Sequence, residues 1–425
     1  MESHQKGYSW LTEKAYLPPD FDQETFENVW KVWPAPLRKM AEAADPDQRR
    51  EMAFDRYGLT TRPDDSNKPL QYVVDRDGNW IMNCFACHGG QVLGKTYPGA
   101  PNNRFALETL TAEIRLTKLQ MNKRLTRMDV GSMVMPLGKT NGTTNAVMFG
   151  VALMAYRDAE LNVHRNRLPP KMVHHDMDAP PWWHFKRKSH IYIDGFAHKG
   201  VRGLMQFMMV EQNGPEKFRE WESDFKDVFA FIQSIEAPKY PFPINQELAE
   251  TGRKVFNKAC ADCHGTYGDD SEFPNEMVPI DVIGTDPVRL SALTKKHRAG
   301  YHDSWFGYFG EQVTIDDPAG YVAPPLDGIW ASAPYLHNGS VPTLWHLLHP
   351  KERPNVWKRV SDELDKKRMG VEIQSLAEVP KGITKAERRE IFDTSQFGKS
   401  QRGHDFPDEL EESERAAVLE YLKTL

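Results

Sequence analysis

Between Pro215 and Ile235 an apolar side chain returns every three or four positions: Phe218, Trp221, Phe225, Val228, Ile232 and Ile235. That period places all six on one face of a helix that buries a single stripe. Gly214-Pro215 marks the start, since proline suits the first helical turn. The helix must end before Ala237-Pro238-Lys239-Tyr240-Pro241-Phe242-Pro243, where the prolines withdraw the amide donors a helix needs. This run is a linker, and it divides the chain into residues 1–240 and 241–425.

A second periodic stretch follows at once. Residues 245–259 read as an amphipathic helix carrying Leu248, Val255, Phe256 and Ala259. At the far end Ser413 is the expected cap of a last helix with Val418, Leu419, Leu422 and Leu425. Gly252 and Phe256 are expected to meet the Tyr421-Leu422 turn, with Gly252 permitting close backbone approach. In the first part, Asn102-Asn103 is the expected cap of a helix carrying Leu107, Leu110, Ile114, Met121 and Leu125. Residues 168–185 are too rich in proline and tryptophan for a disordered tail. Residues 267–321 have no period and many Asp, Gly and Pro, so ordered loops are expected. Residues 351–390 are densely charged and read as a solvated excursion.

Composition narrows the function classes. The chain has 425 residues, 40% of them hydrophobic and 11% aromatic, enough for substantial cores. A net charge of −6 without a basic stripe argues against nucleic-acid binding. No apolar run approaches the roughly 20 residues of a membrane-spanning helix. The start, Met1-Glu2-Ser3-His4-Gln5-Lys6, lacks the apolar core of an export signal.

The chemistry sits in the cysteines. All four lie in two C-x-x-C-H motifs, Cys84-Phe85-Ala86-Cys87-His88 and Cys260-Ala261-Asp262-Cys263-His264. Two short disulfides or one zinc site are the alternatives. A histidine directly after each pair, with no cysteine left over, argues against both. In the c-type haem reading, two thiols add to the vinyl groups of one haem and the adjoining imidazole takes the iron. Two covalently bound c-type haems are therefore expected. The helix over 245–259 runs straight into Cys260, and its crossing with a C-terminal helix matches small cytochrome c domains. The expected fold is mainly α, with two cytochrome c-like haem domains, long irregular loops and little β-structure. Bacterial haem attachment of this kind occurs outside the cytoplasmic membrane. A periplasmic or secreted protein is therefore expected, its export signal absent from this chain.

The second face of each iron decides between electron transfer and chemistry. His404, in Arg402-Gly403-His404-Asp405-Phe406 just before the last helix, is the favoured sixth ligand for the haem at His264. His337 and the methionines are its rivals, and His337 has an alternative role in bonding a haem propionate or backbone. For the haem at His88 no such histidine stands out. His164, His174, His175, His184, His190 and His198 read as structural or surface residues. Val147, Met148, Phe149 and Phe196 are candidates for a dry pocket there, or for ordinary core.

Two C-x-x-C-H modules, with Gly328-Ile329-Trp330 leading into Ala333-Pro334-Tyr335-Leu336-His337-Asn338-Gly339-Ser340-Val341-Pro342-Thr343-Leu344, resemble the bacterial di-haem cytochrome c peroxidase superfamily. Within it the chain is most similar to the rubber oxygenase A (RoxA-like) family. The likeness rests on Lys14-Ala15-Tyr16-Leu17-Pro18-Pro19-Asp20-Phe21, Pro180-Pro181-Trp182-Trp183 and Gly403-His404-Asp405-Phe406. The resemblance implies dioxygen chemistry at the haem of His88 and a second haem held by His264 and His404. It implies that Trp183 lies between the haems and Phe196 near the oxygen site. Packing at a domain interface and core burial are their plain alternatives. The chain is shorter than the rubber-cleaving enzyme, and the likeness does not extend to rubber as substrate.

Three classes follow. One is a dioxygen-using oxygenase on an apolar or unsaturated organic substrate. Another is a hydrogen peroxide-dependent peroxidase or protein oxidant, which needs an acid–base group over the iron. The third is a non-enzymatic electron carrier. A small redox protein is the expected electron donor.

Overall fold

The apolar stripe of Pro215–Ser234 is buried along its whole length, from Phe218 to Ile232. Gly214 caps the helix and Pro215 opens it, as the sequence predicts. The partner of this helix is Ser3–Glu13, at the start of the chain. Gly7 makes their contact close: a Cβ there would lie 2.2 Å from the Asp227 carbonyl oxygen. Trp10 donates from its indole to Asp227 at 3.1 Å, and Lys14 pairs with Asp224 at 2.6 Å. The computed structural model describes residues 1–425 apart from 136, 169 and 270, so the segments 168–185 and 267–321 are each described without one residue.

The C-terminal part repeats this arrangement. Gln246–Ala259 crosses Glu412–Leu422. Asn245 caps the first helix by accepting from the Leu248 amide. A Cβ on Gly252 would lie 1.9 Å from the Ala417 carbonyl oxygen, so only glycine allows the crossing. Phe256 meets Tyr421 with ring centroids 5.3 Å apart. The last helix begins slightly earlier than expected. Its cap is Glu411, in a reciprocal box with Glu414, and Ser413 lies inside the first turn. Leu425 lies beyond its end.

Helix is 43% of the chain and strand 13%, in small sheets without a barrel, so the mainly α expectation holds. The charged segment 351–390 departs most from its reading. It contains Val356–Asp365, paired antiparallel with Gly370–Leu376 on one side and Ile391–Asp393 on the other. Most of its charges are exposed, while Val356, Trp357, Met369 and Val371 are buried. The expected loops of 267–321 also hold regular pieces, including Val288–Ala292 and Lys295–His302. Trp305 and Phe306 from this stretch pack on Phe218, with centroids 6.0 and 5.9 Å from its ring. Packing therefore crosses the linker boundary at residue 240. The linker itself is pinned: Trp330 donates from its indole to the Pro238 carbonyl at 2.8 Å.

Leu107–Gln120 forms the expected helix, but Asn102 and Asn103 do not cap it. Asn102 instead donates to the carbonyls of Gly58 and Ala86, and Asn103 to that of Ala333. The helix ends before Met121, leaving Leu125 outside. Among the described residues, no helix is long and apolar enough to cross a membrane.

Candidate haem sites

Each C-x-x-C-H motif winds into a single helical turn, Phe85–His88 and Ala261–His264. A turn brings the two thiols and the imidazole of each motif to one side. All four cysteines are free thiols. Burial raises Cys84 to about 12 and Cys87 and Cys260 to about 11, which keeps these thiols protonated. Among the described residues no group of three or more Cys, His, Asp or Glu is placed to hold a metal ion. The disulfide and zinc alternatives are both set aside.

The two histidines are oriented in the same way. His88 Nδ1 lies 3.1 Å from the Pro180 carbonyl oxygen, and His264 Nδ1 lies 2.8 Å from that of Pro324. A carbonyl can only accept, so Nδ1 carries the proton in both rings and Nε2 keeps its lone pair. Burial lowers both pKa values, His88 to about 4, so both rings are neutral. A neutral imidazole with a free Nε2 is the form that binds a metal.

Beyond this shared frame the sites diverge. The ring centroid of His404 lies 6.1 Å from that of His264. A ring nitrogen sits about 1 Å from its centroid and about 2.0–2.1 Å from a bound metal, which doubled gives about 6 Å. The spacing therefore fits one metal between two imidazoles. His404 Nδ1 is buried without a hydrogen-bond partner among the described residues, and desolvation holds the ring neutral, at about 3. The backbone here is unusual: Gly403 has φ +80° and His404 +51°. A Cβ on Gly403 would meet the Gly284 carbonyl carbon at 2.2 Å. Arg353, almost fully buried, clamps this loop by donating to the Gln401 and Gly403 carbonyls at 2.7 Å each.

Among the described residues His88 faces no second imidazole in this way. The indole of Trp182 stacks on its ring, with centroids 4.8 Å apart and planes at 24°. One cavity of 1040 Å³ runs past both motifs, lined by Cys84, Cys87, His88, Cys260, Cys263, His264 and His404. The part of its wall drawn from residues 107–210 includes the apolar Leu110, Ile114, Met128, Val147, Phe149 and Met208. Gln206 is a buried polar residue on this wall, and its amide donates to the Gly203 carbonyl at 2.9 Å. Glu211 also lines it but is paired with Arg127 and Arg165.

The remaining predicted residues fall in four places. His337 lines the cavity with its ring 4.6 Å from that of Tyr321, and its carbonyl accepts from the Asp178 amide. Met148 is fully buried in the core and, with Phe196, is absent from the cavity wall. Phe196 packs 4.8 Å from the Tyr301 ring, beneath Arg298. Trp183 is fully buried and also off the wall. Its indole and the His184 ring both donate to the Asp327 carbonyl, each at 2.8 Å. Trp183 thus joins the segment that orients His88 to the one that orients His264.

Sequence reasoning passed over Pro180, Pro324, Trp182 and Arg353. For the prolines a signal was present. Ala179-Pro180-Pro181 and Ala323-Pro324-Pro325 repeat one tripeptide, 92 residues after the first motif histidine and 60 after the second, counted to the accepting proline.

The RoxA-like, cytochrome c-like family matches residues 320–358. Those residues include Pro324, which orients His264, and Arg353, which holds the His404 loop. This segment is similar to RoxA-like cytochromes c. A cytochrome c-like segment implies covalently bound c-type haem and, in general terms, a haem-dependent oxidoreductase. Two proteins of Sinorhizobium fredii (strain NBRC 101917 / NGR234) are also similar. Uncharacterized protein y4iM is 31% identical over 258 residues, covering 54% of this chain and 56% of that protein. Uncharacterized protein y4iJ is 30% identical over 257 residues, covering 45% of this chain and 41% of that protein. The chain spans about half the length of these curated relatives.

Proposed function

We propose that the chain carries two covalent c-type haems with different work. Cys84, Cys87 and His88 would hold one, and Cys260, Cys263, His264 and His404 the other, within two cytochrome c-like domains. The haem at His88 would be the reactive centre of an oxygenase that uses dioxygen on an apolar or unsaturated substrate. The haem at His264 would serve electron transfer, with a small redox protein as donor and Trp183 in the bonded route between the sites. Haem attachment places such a protein in the periplasm or outside the cell.

The observation that carries this reading is the contrast of partners: an imidazole 6.1 Å from the His264 ring, and an indole stacked on the His88 ring beside a cavity with many apolar lining residues. A bound c-type haem supplies one-electron redox chemistry and an iron site for a small ligand. The chain's own residues do the rest. Pro180 and Trp182 fix the tautomer and plane of His88. Leu110, Ile114, Val147 and Phe149 exclude water and accept an apolar molecule. The helix Arg127–Val134 presents Met128, Gly131 and Ser132 to this cavity. Its outer face leaves Val130, Met133 and Val134 more than half exposed, beside exposed Leu116 and Leu119. Apolar residues on both sides of one thin wall suit a substrate arriving from an apolar phase.

Peroxide-dependent oxidation is the competing reading, and the Asp20 carboxyl on the cavity wall, raised to about 7, is the acid–base group that favours it. Carbon monoxide titration of the reduced protein separates the classes first. One binding haem per chain is expected, and none would leave an electron carrier. Product analysis with an alkene under dioxygen, then with peroxide under anaerobic conditions, separates oxygenase from peroxidase. Turnover with peroxide alone would overturn the oxygenase reading.

A further inference from the structure

The helices Leu107–Gln120 and Arg127–Val134 touch at the surface of the molecule. Two ties hold them together. Lys118 pairs with Asp129 at 2.6 Å, and Arg115 donates to the Ser132 hydroxyl at 2.5 Å. Leu116 and Leu119 lie one turn apart on the first helix, beside these ties. Val130, Met133 and Val134 share a face of the second by their spacing of three and four. All five are more than half exposed. A third segment joins them. Glu211 pairs with both Arg127 and Arg165, which sets the loop after Arg165 beside the start of the second helix. That loop carries Leu168, 87% exposed. Six large apolar side chains thus stand in water on neighbouring segments, more than scattered exposure explains.

Charge around this face says what covers it. The chain as a whole carries −6, yet residues 115–139 hold six cations, Arg115, Lys118, Lys123, Arg124, Arg127 and Lys139, against the single anion Asp129. Asp129 neutralises Lys118, and Asp22 and Glu24 neutralise Lys123. Arg124, Lys139 and Lys171 are exposed and have no carboxylate partner among the described residues. In sequence they bracket the apolar positions: Arg124 before the second helix, Lys139 after it, and Lys171 after Leu168. An apolar centre with a cationic rim complements an anionic lipid surface. A second copy of the chain would bring the same cationic rim against itself. A protein partner is anchored chiefly by Trp, Tyr and Arg, with Leu and Val scarce, whereas the apolar side chains here are Leu, Val and Met without an aromatic.

We propose that this face docks the protein on an anionic phospholipid bilayer. Leu116, Leu119, Val130 and Met133 enter the boundary of the acyl chains, and Arg124, Lys139 and Lys171 meet lipid phosphates. The second helix also lines the cavity, through Met128, Gly131 and Ser132, so docking sets a cavity wall against the lipid. The docking is independent of which haem reacts; a substrate drawn from the bilayer is the one consequence that rests on the oxygenase reading.

Flotation of the intact holoprotein with vesicles is the test. Binding is expected on equimolar phosphatidylglycerol and phosphatidylcholine, and it should weaken as salt screens the cationic rim. Vesicles of phosphatidylcholine alone should bind about tenfold less or weaker still. Val130→Glu with Met133→Glu should abolish flotation. Arg124→Glu with Lys171→Glu should weaken it by about tenfold or more. All four positions are exposed, so both variants should melt with the unaltered protein. If one melts early, a nitroxide on Met133→Cys decides in its place: anionic vesicles should broaden its spectrum and raise its accessibility to dissolved oxygen. Three results would overturn the proposal. One is equal flotation on the two kinds of vesicle. Another is flotation that the variants share with the unaltered protein. The third is pairing of copies in sedimentation, abolished by Val130→Glu with Met133→Glu, while vesicles stay unbound. Loss of turnover without loss of flotation would count against the oxygenase reading and leave the docking in place.

Discussion

The two motif histidines share one frame and differ in what faces them. Each sits on a single helical turn, and each gives its Nδ1 proton to the first proline carbonyl of an Ala-Pro-Pro segment. Each part of the chain also crosses an early and a late helix at a glycine, Gly7 in one and Gly252 in the other. The difference lies around this frame. The His264 part spends a strained Gly403-His404 loop and a buried arginine clamp to set an imidazole 6.1 Å from His264. The His88 part has no such loop, and its space goes to apolar side chains. On the proposed reading, reactivity would be set by what the loops add around a frame of helices and cysteines that repeats.

The largest effect should come from breaking the frame itself. Replacing Cys84 and Cys87 together by serine should remove one haem mass from the chain under denaturing conditions. The Cys260 and Cys263 double variant should remove the other. A chain that still carries two haems in either variant would end the comparison.

Next comes the difference between the sites. His404→Ala should convert one low-spin haem signal to high-spin in electron paramagnetic resonance. It should also raise carbon monoxide binding from one reduced haem per chain to two. The same substitution at His337 should leave the low-spin signal in place. A low-spin signal retained in His404→Ala would move the sixth ligand elsewhere.

Much of this asymmetry was legible in the sequence, and the unread part has physical reasons. The motifs, the proline-rich run and the amphipathic helices are local signals, and the helices form close to where they are expected. The match of Gly252 to the last helix was readable because a glycine on an apolar face implies close approach. Residues 351–390 misled because charge density was read without its period. Val356, Trp357, Met369 and Val371 are buried among these charges, with the neighbours Val356 and Trp357 on opposite faces of one strand. Arg353 gave no signal, since one arginine among many charges does not announce that it will be buried beneath a loop some fifty residues away. The Ala-Pro-Pro repeat was visible, but only the fold shows that its carbonyls meet histidines.

The shared helix crossing gives a smaller and more uniform effect. Gly252→Ala forces a Cβ to within 1.9 Å of the Ala417 carbonyl oxygen. Overpacking against backbone of this kind costs on the order of 3 kcal/mol. The melting of the C-terminal part should fall by roughly 6–12 °C. Gly300→Ala is the control. It lies in Lys295–His302 with nothing within 4 Å of the added carbon, and should be neutral or slightly stabilising. Equal melting of both variants would show that the crossing tolerates separation.

The last effect concerns charge along the cavity and is read only as a change with pH. The cavity wall includes Asp20, whose carboxyl is raised to about 7, chiefly by desolvation. It also includes Lys188, lowered to about 8 by the same cause. One wall thus holds a reluctant acid and a reluctant base. For Asp20 the sign follows from proton counts. Between the ordinary value of 3.8 and about 7 the folded state keeps a proton that the unfolded state has lost. Stability must therefore fall as pH rises through that window, and level off above it. Asp20→Asn has no proton to lose, so the melting difference between variant and parent should grow in the variant's favour from pH 4 to pH 7. Thermal scans across that range read it directly. A difference that stays constant with pH would mean that Asp20 titrates as an ordinary solvated carboxylate.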